Sequence, residues 1–152
     1  DLVCITRYSG SSYPPGINEQ LTKGLPVIKS TLRLDSLSNL YNGEVLEVKQ
    51  LRDKPVSAFS GIANPNDFRK LLEKSGMRLV HYQPFPDHHE YTLNDIKHIE
   101  DSARKSGATF ILTTEKDAVK INSNSTTLPF YKVALEMEIL EGREIFNQQV
   151  LS

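Results

Sequence analysis

The rhythm of apolar and polar positions changes near residue 55. Before it, short alternating runs are separated by turn formers; after it, strand-like and helix-like stretches succeed one another regularly. In the first part LVCIT (2–6) reads as a buried strand. PVIKSTLRL (26–34) alternates, so that Val27, Lys29, Thr31 and Arg33 share one face while Ile28, Ser30, Leu32 and Leu34 share the other. Between them SGSSYPPG (9–16) is dense in turn residues. EVLEVKQL (44–51) follows the Asn42-Gly43 turn as a further strand, and the charged, proline-closed run 51–55 is a natural domain boundary.

Beyond it, VSAF (56–59) reads as a strand and GIANP as a loop. PNDFRKLLEKSG reads as a helix with Asn64 at the N-cap, Pro65 in the first turn and Gly76 as its stop. Phe68, Leu71, Leu72 and Ser75 fall on one face of it. MRLVHYQ (77–83) is the next strand. Thr92, with Asp95 three residues on, makes a capping-box-like start to a helix ending near Lys105, whose inner stripe is Leu93, Ile96, Ile99 or Glu100, and Ala103. ATFILTT (108–114), the short helix EKDAVKI (115–121), the extended FYKVALEMEI (130–139) and the helix-like REIFNQQVL (143–151), with Ile145, Phe146, Gln149 and Val150 on a modest apolar face, complete the series. Such alternation predicts an α/β fold, a mostly parallel sheet with flanking helices, preceded by a strand-rich segment. Ligands in such sheets bind beyond the carboxyl ends of the strands. The loops after Phe59, Gln83 and Thr113 share that address.

Charge narrows little: 18 Lys and Arg face 19 Asp and Glu over 152 residues, so net charge argues for neither a nucleic-acid partner nor a membrane. Cys4 stands alone in an apolar run, as a buried small hydrophobe in a reducing compartment would. No apolar run approaches the ~18 residues of a membrane span, and the start lacks the regions of a signal peptide, which fits a soluble cytosolic chain. The chain opens on Asp1 and runs at once into a strand. Edge strands are tied down by neighbours, so the chain is expected to begin mid-protein.

Three stretches carry chemistry. FPDHHEY (85–91) packs Asp87, His88, His89 and Glu90 together. As a metal site it lacks further acidic clusters, and adjacent histidines on an extended chain point apart. As a proton-handling site it needs one histidine, with a carboxylate such as Asp87 or Glu90 to fix its tautomer. As a solvated turn it needs only Asp87 as a local cap. TTEKDAVK (113–120) reads either as a helix start capped by Thr114 and Asp117, with Lys116 and Lys120 on a wet face, or as a phosphate-attracting terminus to which Lys116 adds charge. FSGIANP (59–65) holds Ser60 and Gly61 in a tight turn where backbone approaches a ligand or another segment closely. Tyr82, Phe85 and Tyr91 read as packing.

Taken in order and spacing, FSGIANPNDFRKLLEKSG, FPDHHEYT and ILTTEKDAVK resemble the C-terminal half of the tetraacyldisaccharide 4'-kinases, the lipid A 4'-kinase family, over residues 56–135 and more loosely back to DLVCIT. The resemblance implies a two-domain kinase, a P-loop domain followed by a smaller α/β domain. With ATP and Mg2+ it would phosphorylate the 4'-hydroxyl of a lipid A disaccharide precursor at the cytoplasmic face of the bacterial inner membrane. It implies catalytic roles for His88, working with an aspartate from the other domain, and for Asp87, which orients it; His89 receives none. It implies that Thr114, Glu115, Lys116 and Asp117 face the nucleotide cleft, and that Gly61 and Asn64 carry the third motif. Residues 1–50 would be the tail of the P-loop domain plus a strand linker, 51–136 the C-terminal α/β domain, and 137–152 a return linker and helix. None of the eight glycines begins a G-x-x-x-x-G-K-[ST] run, and the family's Mg2+-binding acidic segment is missing as well. The chain alone is therefore expected to be inactive, to bind no metal of its own, and to expose apolar ends that favour partial disorder or self-association. A metal-dependent phosphoesterase built on Asp87, His88 and His89, which the DHH run resembles, and a non-catalytic α/β binding module are the alternatives.

Overall fold

A computed structural model describes residues 2–8, 23–122 and 126–149; the predicted turn region 9–16 and Val150 lie outside them. The chain divides into two compact units, Asp1–Arg33 with Glu136–Ser152, and Leu34–Leu135. Two long strands, β2 (Val27–Asn39) and β7 (Phe130–Glu141), contribute to both.

In the smaller unit β1 (Val3–Ile5) runs parallel to the start of β2, Val3 opposite Val27 and Ile5 opposite Lys29. Alternation holds: Ile5, Ile28 and Ser30 are buried. Cys4, expected inside, is exposed, because it sits on the other face of the strand from Ile5. Lys29 pairs with Glu141 at 2.9 Å, and Arg33 pairs with Glu136. Helix α4 (Arg143–Gln149) follows Gly142.

In the larger unit the strand order is β2-β7-β6-β4-β5, where β4 is Pro55–Ser60, β5 Arg78–Pro84 and β6 Phe110–Thr114. The β4–β5, β4–β6 and β6–β7 pairs are all parallel. β3 (Val45–Glu47) pairs antiparallel with β2. It is shorter than expected, since Gln50 reaches back to the Glu47 amide (2.7 Å) and turns 48–51 into a 3-10 helix. β2 is longer than expected, because Leu34 and Leu37 continue its buried positions past residue 34.

Two helices cover opposite faces. α1 (Pro65–Lys74) buries Phe68 and Leu72 against Val56, Ala58, Leu112, Tyr131 and Val133. α2 (Leu93–Lys105) buries Ile96, Ile99 and Ala103 against Phe59, Ile111 and Phe130. Consecutive residues of β4, β6 and β7 thus go to opposite cores, which is why these strands read as continuous apolar runs. Leu93, expected on the inner stripe, is 73% exposed. As the first helical residue its side chain tilts back past the helix start and finds no turn to cover. Thr92 and Asp95 form the expected capping box, whereas Asn64 occupies the N-cap of α1 without a side-chain bond. Gly76 ends α1 at φ +84°.

The connection from β4 leaves toward β5, while that from β6, through the single turn α3 (Glu115–Ala118), leaves toward β7. Adjacent parallel strands whose connections part in opposite directions make a topological switch point, and in open α/β sheets the crevice that takes ligands lies at the carboxyl ends of such strands.

Candidate functional site

Three loops meet at that crevice, and Gly61 is where they meet. Its N–H donates to Asp117 Oδ2 (3.0 Å) from the β6 side, and its carbonyl accepts the His88 N–H (3.2 Å) from the β5 side. A Cβ at this position would lie 3.0 Å from Tyr91 Oη, 3.1 Å from the Pro86 carbonyl and 3.2 Å from Asp117 Oδ1. The close approach anticipated for this glycine is thus to its own neighbouring loops, and the three motifs form one packed knot.

Asp117 lies at its centre. It is fully buried, and Oδ2 also accepts a hydrogen bond from Thr114 Oγ1 (2.6 Å), while the Asp117 N–H donates back to Thr114 Oγ1 (3.1 Å). This is the cap expected of TTEKD, turned inward. Oδ1 and the Tyr91 hydroxyl are buried on the same side of Gly61 without a well-formed hydrogen bond. Burial, with the Asp117 charge next, pushes the Tyr91 phenol far up, so it stays a neutral hydroxyl. Glu115 and Lys116 face solvent.

The Asp87-His88-His89 turn is not extended: His88 sits at φ +61°, its amide shared between Gly61 O and Asp87 Oδ1 (3.0 Å). Its imidazole is 73% exposed, with Nε2 3.8 Å from Asp87 Oδ2. Asp87 in turn accepts from Lys116 Nζ at 3.2 Å, and chiefly that bond holds its carboxyl below the usual range. The aspartate beside His88 is therefore anionic.

His89 goes the other way. Its ring packs on Phe85 and Tyr91, with centroids 4.7 and 5.0 Å apart, and Nε2 is 3.2 Å from Asp95 Oδ2. Asp95 is held low by hydrogen bonds from the Thr92 backbone and then its side chain. Lys120 Nζ donates to the His89 carbonyl (3.0 Å), so this lysine, read from the sequence as solvated, ties down the turn. The partnerships of Lys120 and Tyr91 escape sequence reasoning because each joins loops from different strands, and no local spacing signals them, whereas Asp95 reaches His89 within their own connection, six residues away. Among the described residues, no three His, Cys, Asp or Glu side chains are grouped to hold a metal ion.

Comparison with known proteins gives one consistent result. The family described as tetraacyldisaccharide-1-P 4'-kinase, LpxK, matches residues 1–152. The chain is 32% identical over 132 residues to the tetraacyldisaccharide 4'-kinase of Syntrophus aciditrophicus, covering 86% of this chain and 35% of that protein. It is 51% identical over 91 residues to that of Desulfotalea psychrophila, covering 60% and 26%. The crystal structure of an LpxK from Aquifex aeolicus in complex with ATP superposes with a TM-score of 0.54 at 21% identity, over 93% of this chain and 40% of that one, which supports the α/β fold. The chain thus spans well under half the length of each relative. With its three motifs gathered at one crevice and the family match running end to end, the chain belongs to the tetraacyldisaccharide-1-P 4'-kinase family.

Proposed function

We propose that this chain supplies one wall of the active site of a kinase that phosphorylates the 4'-hydroxyl of a tetraacyl glucosamine disaccharide 1-phosphate in lipid A biosynthesis. The observation that carries this reading is the exposed His88 imidazole at a switch-point crevice, beside an Asp87 carboxylate kept anionic by Lys116. His88 accepts the proton of the acceptor hydroxyl as its oxygen attacks, working with an aspartate supplied from outside this chain. Asp87 stabilises the imidazolium that forms. When bound, ATP supplies the phosphoryl group, and catalysis of such transfers is mostly positioning and charge stabilisation.

Thr114 and Asp117 are committed to each other and to Gly61, so of the TTEKD residues only Glu115 and Lys116 stay exposed, and Lys116 is paired with Asp87. Among the described residues no three His, Cys, Asp or Glu side chains are grouped to hold a metal ion, and the sequence has no phosphate-cradling glycine loop; in this reading Mg2+ and that loop come with the P-loop domain of the intact kinase. In this reading residues 51–136 form the smaller α/β domain, and 1–50 and 137–152 go with the P-loop domain. The enzyme works at the cytoplasmic face of the inner membrane; among the described residues no helix is long and apolar enough to cross it.

The test is His88→Ala in a full-length kinase bearing these residues. We expect kcat to fall by roughly 10²-fold or more with the substrate KM values little changed. An effect confined to thermal stability would remove His88 from the chemistry.

A further inference from the structure

His88 combines two features that demand explanation together. Its backbone is left-handed, at φ +61°, a conformation that costs a side-chain-bearing residue about 1 kcal/mol or more and persists only where the surroundings impose it. Its ring is mostly exposed, with the Asp87 carboxylate 3.8 Å away as its neighbour. Packing therefore does little to aim the imidazole, and its direction follows from the backbone and from Asp87.

Both are gripped from one place. Asp117, on α3, holds the Gly61 N–H, and the carbonyl of the same glycine holds the His88 N–H. Lys116, the preceding residue, holds Asp87 at 3.2 Å. Lys120, just past the helix, holds the His89 carbonyl at 3.0 Å. Three side chains from five consecutive residues thus seize the turn before, at and after His88. Asp117 is wholly enclosed and is cut off from any ligand in the crevice.

We propose that Lys116, Asp117 and Lys120 are positioning residues that clamp the Asp87–His88 turn, and that Asp117 acts through Gly61 rather than on nucleotide. The proposal rests on the reading of His88 given above. It makes the TTEKD signature a brace for proton transfer, with one lysine tying the second loop to the third.

Two measurements test it. In this chain, backbone amide and imidazole NMR signals of His88 should shift in Lys116→Met and in Asp117→Ala, and return toward the parent in Asp117→Asn, whose amide oxygen still accepts the Gly61 N–H. In a full-length kinase bearing these residues, Lys116→Met should lower kcat about tenfold or more at unchanged KM for ATP, as a misplaced catalytic group does. Lys116 is exposed, so its variant folds even if Asp117→Ala does not. A raised KM for ATP with unchanged kcat would make Lys116 a nucleotide contact and overturn the proposal. Unmoved His88 signals in Lys116→Met would overturn it too. If His88→Ala leaves kcat intact while the His88 signals still move, the clamp stands and the proton-transfer reading falls.

Discussion

Gly61→Ala is the sharpest probe of the knot. The described glycines outside this loop adopt positive φ; Gly61 does not, so the backbone tolerates alanine and the outcome depends on space alone. The added methyl would meet Tyr91 Oη at 3.0 Å, Pro86 O at 3.1 Å and Asp117 Oδ1 at 3.2 Å. None yields easily: one is backbone, the tyrosine is wedged among Phe59, Phe85 and His89, and Asp117 is anchored by its bonds to Gly61 and Thr114. Overpacking of this kind costs about 1–3 kcal/mol. Weakening the two hydrogen bonds of the Gly61 peptide adds about 0.5–1.5 kcal/mol each at most. Against this, alanine restricts the unfolded chain, which is worth about 0.4–1 kcal/mol in its favour. The net expectation is destabilisation by roughly 1–3 kcal/mol, or a Tm lowered by about 4–8 °C per kcal/mol for a unit of this size. Urea unfolding followed by circular dichroism measures it. A midpoint equal to or above the parent, at unchanged slope, would refute the claim that three loops close on this one atom position.

Two further outcomes follow from the same structure. On α2, Ile99→Ala should cost about 2–5 kcal/mol while Leu93→Ser stays within about 0.5 kcal/mol, because the first is enclosed and the second projects into solvent; chemical denaturation of both variants checks the assignment. Asp95 has its folded pKa depressed below its ordinary value by the Thr92 hydrogen bonds. Its contribution to stability is therefore fully present above the unfolded carboxyl pKa and lost as pH falls through the folded one. Unfolding midpoints measured between about pH 2 and 6 should show a shallower acid decline in Asp95→Asn than in the parent, and identical declines would sink the linkage.

Much of this was legible in one dimension. The α/β alternation, the Thr92–Asp95 capping box, the Gly76 stop and the carboxyl-end address of all three loops follow from local periodicity and local hydrogen-bonding chemistry, and the structure has them. What failed was also local. Cys4 was placed inside by the polarity of its neighbours, although a strand alternates and only one of its faces is covered. Leu93 satisfied the helical spacing but came before the first full turn. The strand expected over 44–51 was cut short by a side chain returning to its own backbone. The site's connections were invisible for a different reason: Lys120 with the His89 carbonyl and Asp117 with Gly61 join separate loops, and only the sheet order brings those loops together.

The bond from Gly61 to Asp117 spans 56 residues. β4 lies between β5 and β6, so a chain emerging from its N-terminus can pair β4 with β5 while the Gly61 amide still has no acceptor and the His88 turn has no brace. The candidate site is thus a late product of folding, completed only when β6 and α3 dock on the far side of β4. Such long-range closure is the slow part of folding in parallel sheets. A refolding experiment should find secondary structure and the first helix pairing well before the His88 amide gains protection from exchange.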